Sequence, residues 1–97
     1  MQIKTPAVAG TMESSDIMIR MEPGDGGVAI TLESTVMQQF GAQIESVIRE
    51  TLTQLEIGDV RVTAVDKGAL DCTVRARVLA AAYRAAGRED YHWEVKP

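Results

Sequence analysis

The sequence predicts an α+β fold: a small antiparallel sheet of three to four strands packed by one long and one shorter helix. Three observations carry that expectation. Residues 15–22 and 28–33 alternate apolar and polar side chains, residues 36–57 carry an apolar stripe at three- and four-residue intervals, and residues 59–65 alternate again. A sheet with one apolar face and a helix with one apolar stripe can bury only each other, which gives two packed layers.

Taken in order, residues 7–12 are the weakest strand candidate, and Pro6 before them lacks a donor for a ladder, so this strand belongs at an edge or begins after the proline. In residues 15–22, Ile17, Ile19 and Met21 share one face, with Asp16, Met18 and Arg20 on the other. Val28, Ile30 and Leu32 do the same in the next strand, and Pro23, Gly24, Asp25, Gly26 and Gly27 between the two suit a hairpin loop. The long helix is read from Met37, Phe40, Ile44, Val47, Ile48, Leu52 and Leu55. Thr35 with Gln38 forms a capping-box pattern at its start, Glu45 and Arg49 stand one turn apart, and Gly58 suits the left-handed residue past its end. Val60, Val62 and Ala64 then line one face of a further strand, and Asp66, Lys67 and Gly68 turn the chain.

Residues 69–86 admit two readings. Leu70, Cys72, Val74, Ala76 and Val78 alternate as a strand would, whereas Leu70, Val74, Val78, Ala81, Ala82 and Ala85 make a helical stripe. The alanine-rich second half and Gly87 at a C-cap position favour the helix, which brings Arg77, Arg84 and Arg88 near one face. Residues 89–97 show no periodicity, and Trp93 is expected to pack back onto the body.

A chain of 97 residues, 45% hydrophobic and 25% charged, supports one domain over 1–97 with one core. That leaves too little chain for a deep, closed active site, so a stand-alone enzyme is not expected. Fourteen acids against ten bases argue against nucleic acid as a partner. The charge is uneven: residues 1–60 hold nine acids and three bases, net −6, and residues 61–97 five acids and seven bases, net +2. No apolar run is long enough to span a bilayer, the start MQIKTPAVAG lacks the regions of a signal peptide, and Cys72 is the only cysteine, so the expectation is no membrane and a cytoplasmic protein without disulfides.

The inventory for side-chain chemistry is short. His92 has no companion ligands, Cys72 reads as a small buried hydrophobe, and Asp66 and Asp71 read as turn and cap residues without the pattern of a calcium loop, so no metal site is expected. EPGDGG (residues 22–27) has neither the lysine nor the spacing of a phosphate-binding loop.

What remains is AGTMESSD, residues 9–16, a hydroxyl-rich junction between two strand candidates. Serine and aspartate hydrogen-bond to their own backbone and so make turns. An exposed serine beside acids lacks a base and is a poor nucleophile, but as the substrate of a modifying enzyme it needs only exposure and a recognisable frame.

AGTMESSD, QQFGAQIESVIRETL (residues 38–52) and DKGALDCTVRARV (residues 66–78), in that order and spacing, resemble the acyl carrier protein, or γ subunit, of bacterial citrate lyase, over nearly the whole chain. The resemblance implies a single acyl-carrier domain that performs no bond chemistry itself. It implies that Ser14 carries 2'-(5''-phosphoribosyl)-3'-dephospho-coenzyme A through a phosphodiester placed by a prosthetic-group transferase, with Gly10, Glu13, Ser15 and Asp16 as the recognition frame. The thiol of that arm would carry an acetyl group, exchanged for citryl on the α subunit with release of acetate. Cleavage of citryl to oxaloacetate on the β subunit would restore the acetyl thioester. Tethering makes both encounters intramolecular.

Ordinary phosphopantetheine carriers are four-helix bundles with an Asp-Ser-Leu motif, so a serine between strands in a Glu-Ser-Ser-Asp frame implies a different, α+β carrier. Ser15 is chemically equivalent to its neighbour, and the choice of Ser14 rests on the family pattern. The acyl carrier of malonate decarboxylase, which uses the same kind of group, is the nearest alternative. A purely structural adaptor subunit, suggested by the charge asymmetry and the arginine face, and a small hydrolase using Ser14 are the readings outside the carrier class.

Overall fold

In the computed structural model, which describes residues 1–88, the elements follow as β1 (Ala7–Ala9), β2 (Ile17–Pro23), β3 (Val28–Ser34), α1 (Met37–Gln54), β4 (Val60–Asp66) and α2 (Asp71–Ala85). The expectations for His92 and Trp93 lie outside the described residues. The α+β class, the four strands and the long and shorter helix are all present, and residues 71–85 are helical.

The sheet order is β1-β2-β4-β3. Two pairings are antiparallel, β1 with β2 and β2 with β4, but β3 runs parallel to β4, so the sheet is mixed. The expected hairpin between β2 and β3 does not form, because β4 lies between them. The loop at 24–27 instead spans the end of β4, where the Gly26 amide donates to Asp59 Oδ1 at 2.8 Å and the Val60 amide donates to the Gly27 carbonyl at 2.9 Å. A hairpin and a split pair show the same alternation, since periodicity fixes which face a side chain takes and not which strand lies beside it.

The predicted inward faces are the observed ones. Ile17, Ile19, Met21, Val60, Val62 and Ala64 are buried, and Val28, Ile30 and Leu32 are half-buried at the β3 edge. β1 is the opposite edge and starts just after Pro6. From α1 the core receives Ile44, Val47, Ile48 and Leu52, and from α2 Val74, Val78, Leu79, Ala81 and Ala82. At the start of α1 the stripe continues onto the surface: Met37 is 45% and Phe40 53% exposed.

The ends of α1 differ from their sequence signals. Thr35 makes no cap; the Val36 amide donates to Ser34 Oγ at 3.0 Å and the Thr35 amide to the Asp66 carbonyl at 3.2 Å. At the other end Glu56, not Gly58, takes the left-handed position, with φ of +57°. The Glu56 amide donates to Thr53 and the Ile57 amide to Leu52, the two bonds of a Schellman motif. In α2 the signal was right: Gly87 has φ of +68°, and the Gly87 and Arg88 amides donate to Arg84 and Tyr83.

The arginine face is consumed internally. Arg77 binds Asp16, Arg84 Nη1 donates to the Val8 carbonyl at 2.7 Å, and the Arg88 guanidinium lies 5.4 Å from the centre of the Tyr83 ring. Cys72, expected to be buried, is exposed, because it lies in the first turn of α2 ahead of the buried stripe that starts at Val74.

Candidate functional site

Register brings the hydroxyl-rich segment to one end of the molecule. Ile17, where β2 begins, stands opposite Asp66, the last residue of β4, which also stands opposite Ser34, the last residue of β3. Both helices start within a few residues of those strand ends. The segments 10–16, 35–36 and 67–70 therefore gather at a single pole, together with the amino ends of α1 and α2.

Gly10 opens the first segment with φ of +93°, a conformation that costs a residue with a Cβ, and a Cβ there would collide with the Ile17 carbonyl oxygen. Residues 13–16 then form a tight turn in which the Asp16 amide donates to the Glu13 carbonyl at 3.2 Å. Ser14 and Ser15 are its central residues, and Ser15 takes φ of +66° as the third residue of a type II turn does. The Ser15 amide donates to the Lys67 carbonyl at 2.8 Å and the Lys67 amide to the Asp16 carbonyl at 2.8 Å, so the turn is sewn to the end of β4. Ser14 is exposed, and neither its hydroxyl nor its amide makes a hydrogen bond among the described residues. The two serines that are chemically alike thus differ physically: Ser15 is an anchor with a strained backbone, and Ser14 stands at the tip.

Asp16 holds this arrangement from below. Its Oδ1 accepts from the Ile17 amide at 2.7 Å and Arg77 Nε at 3.0 Å. Its Oδ2 accepts from the Thr11 amide at 3.1 Å, the Thr11 hydroxyl at 2.7 Å and Arg77 Nη2 at 3.0 Å. The Arg77 guanidinium bonded to it, helped by the Thr11 hydroxyl and the Ile17 amide, holds the Asp16 carboxyl far below the usual carboxylate range against the opposing effect of burial. Asp66 does similar work for the neighbouring turn: it accepts from the Ser34 hydroxyl at 2.8 Å and from the Gly68 and Ala69 amides at 3.0 Å each. Asp71 is the first residue of α2, and its carboxylate accepts from the Gln43 amide at 2.9 Å.

Of the residues singled out in the sequence, Gly10, Glu13, Ser14, Ser15 and Asp16 are all brought together, but in two layers. Glu13, Ser14 and Ser15 face solvent, whereas Asp16 is 9% exposed with both oxygens engaged. Arg77, Thr11 and Lys67 belong to the same construction; the sequence placed Arg77 on an arginine face and Lys67 in a turn and missed their contacts with Asp16 and Ser15. Arg77 lies 61 residues from its partner, and no local pattern signals such a pair.

Among the described residues, no side-chain base hydrogen-bonds to the Ser14 hydroxyl. No group of three or more metal-ligating side chains occurs among the described residues, and no helix of the described residues is long and apolar enough to cross a membrane. The pole presents an exposed hydroxyl.

Comparison with known proteins gives this pole its context. The family model described as malonate decarboxylase delta subunit (MdcD), an acyl carrier model, matches residues 4–85. Citrate lyase acyl carrier protein from Lactiplantibacillus plantarum is 59% identical over 95 residues, covering 98% of this chain and 99% of the relative. The chain belongs to the citrate lyase acyl carrier protein family. The relative of the same name from Latilactobacillus sakei is 56% identical over 94 residues, covering 97% of this chain and 93% of its own. Among solved structures, a chain from a Pseudomonas malonate decarboxylase hetero-tetramer in complex with malonate aligns with a TM-score of 0.72 at 19% identity, covering 88% of this chain and 92% of that one, and so shows the same fold. A citrate lyase acyl carrier protein is a non-catalytic carrier chain.

Proposed function

We propose that this chain is the acyl carrier subunit of citrate lyase and that Ser14 is the attachment point of its prosthetic group, 2'-(5''-phosphoribosyl)-3'-dephospho-coenzyme A. The observation that carries the reading is the state of the Ser14 hydroxyl: exposed, free of hydrogen bonds among the described residues, and held at the tip of a turn fixed on both sides. A transferase needs an accessible hydroxyl on a defined backbone, and both conditions are met at Ser14. The covalent group would supply a thiol on which acyl groups are carried as thioesters.

The chain's own residues do the rest. Asp16, Arg77 and Lys67 keep the turn rigid, so that the tether starts from one fixed point and the acyl group stays at high effective concentration near each partner active site. The partners in this reading are the α subunit for acyl exchange, the β subunit for citryl cleavage and the transferase, in the cytoplasm. The family model described for malonate decarboxylase favours a second reading, a carrier for that enzyme.

The test is the intact mass of the chain isolated with its native partners, followed by fragmentation of the tryptic peptide of residues 5–20. The expected result is an increment equal to the phosphoribosyl-dephospho-coenzyme A arm, localised to Ser14. Ser14→Ala should assemble into the complex without the increment and without citrate cleavage, while Ser15→Ala retains both. An active complex containing an unmodified chain refutes the carrier reading and leaves a structural subunit. Isolation with malonate decarboxylase subunits instead selects the second reading.

A further inference from the structure

Beside the Ser14 turn, across the strand end that anchors it, lies a cavity of about 340 Å³. Val36, Phe40, Ala69 and Leu70 supply apolar walls, and the Gln43 amide and Asp71 carboxylate are its polar groups. Phe40 is 53% and Leu70 71% exposed, so two large apolar side chains face water where the helical pattern of the sequence would bury them. Isolated exposed apolar residues need no explanation, but two that wall one concavity with hydrogen-bonding groups beside them have the chemistry of a small-ligand site.

We propose that this cavity seats the purine of the arm carried on Ser14. The inference rests on the reading of Ser14 as the attachment point of a dephospho-coenzyme A arm. In that group a phosphodiester joins the serine to the 5'' oxygen of a ribose, and a glycosidic bond joins that ribose to the 2' oxygen of the adenosine. The nucleotide is therefore the part of the arm nearest the protein, and the thiol the part farthest from it. The Lys67 carbonyl holds the Ser15 amide, and Gly68, the next residue, already lines the cavity. A flat aromatic base suits the face of Phe40, and its exocyclic amine suits the oxygens of Asp71 and Gln43. Seating the base fixes the root of the arm and leaves the pantetheine end free, which shortens the volume that the thiol explores and raises its effective concentration.

The experiment compares the full chain, isotope-labelled, in unloaded form and in loaded form taken from the native complex. Intact mass first establishes whether a nucleotide-containing arm is present. Nuclear Overhauser contacts from the adenine H2 and H8 protons to the Phe40 ring and the Leu70 methyls are expected in the loaded chain, with loading-dependent shifts at Ala69 and Leu70. Phe40→Ala, exposed enough to fold normally, should load to the same mass and lose those contacts. A chain of the right mass whose changes are confined to residues 10–16 overturns the cavity proposal and leaves the carrier reading standing. Coverage of Phe40 and Leu70 in the unloaded chain by a second copy, seen as a dimer in sedimentation, also overturns it. An arm without a nucleotide, or no arm, refutes the carrier reading itself.

Discussion

Replacing Asp16 with asparagine isolates the contribution of the clamp beneath the Ser14 turn. The amide is nearly isosteric, but it keeps one acceptor oxygen. If that oxygen serves the Ile17 amide and Arg77 Nε, the new NH₂ group faces the Thr11 amide and Arg77 Nη2, both donors. Two charge-assisted hydrogen bonds are lost, and the ion pair is neutralised. Charge-assisted bonds contribute about 1.5–3 kcal/mol each. The Arg77 side chain is 38% exposed and regains water, so the net loss should be about 2–3 kcal/mol. For a domain of this length that lowers the melting temperature by roughly 10–20 °C. Urea unfolding of the two chains followed by circular dichroism measures the difference directly.

The pH dependence gives a second handle on the same group. A carboxyl whose folded pKa is depressed stabilises the fold above its unfolded pKa, about 3.9, and loses that contribution as the pH falls toward the folded value. The folded value lies well below the usual range because of Arg77. The gap between the natural chain and Asp16→Asn should therefore be full at pH 7 and begin to close below about pH 4. A gap under about 0.5 kcal/mol at pH 7, within the range of ordinary surface substitutions, would show that the clamp does not hold the turn. A gap that stays constant between pH 4 and pH 2 would show that charge is not how it works.

Gly10→Ala combines a positive φ with a collision against the Ile17 carbonyl, and should cost about 3 kcal/mol or shift β1 away from β2, readable from loss of amide protection in β1. Glu56→Gly relieves a left-handed glutamate at the end of α1 and should stabilise the chain by about 0.5–1 kcal/mol in the same urea assay. Ile44 is 3% exposed in the core, so Ile44→Asp should leave the chain unfolded by circular dichroism at 25 °C. A folded Ile44→Asp chain that fails to join its complex would make that stripe an interface.

Much of this architecture was legible because period-two and period-3.6 patterns report burial, and burial is what the fold satisfies first. The inward sets of β2, β3 and β4 and the core residues of α1 from Ile44 onward all follow from spacing alone. Pairing was not legible. Nothing in residues 23–27 says whether the strands on either side touch, and the insertion of β4 between them depends on long-range packing. The family was legible in three motifs. The Ser14 segment was recognisable as a junction, but its rigidity depends on Arg77 and Lys67, far along the chain, and on a left-handed Ser15 that no propensity predicts. Glu56 taking a position for which Gly58 was available shows the same limit: helix length was set by where the apolar stripe ends, and the residue found there had to comply.

The sheet order has a consequence for how the molecule comes into being. β2 and β3 are made early in the chain but never pair with each other; each pairs with β4, made about thirty residues later. Arg77 comes later still. A chain growing from its amino end has a serine-rich segment long before it has the strand end and the guanidinium that give that segment a shape. Order at Ser14 is thus a sign of a completed chain, and a fragment ending before α2 carries the same eight residues without the surface they form.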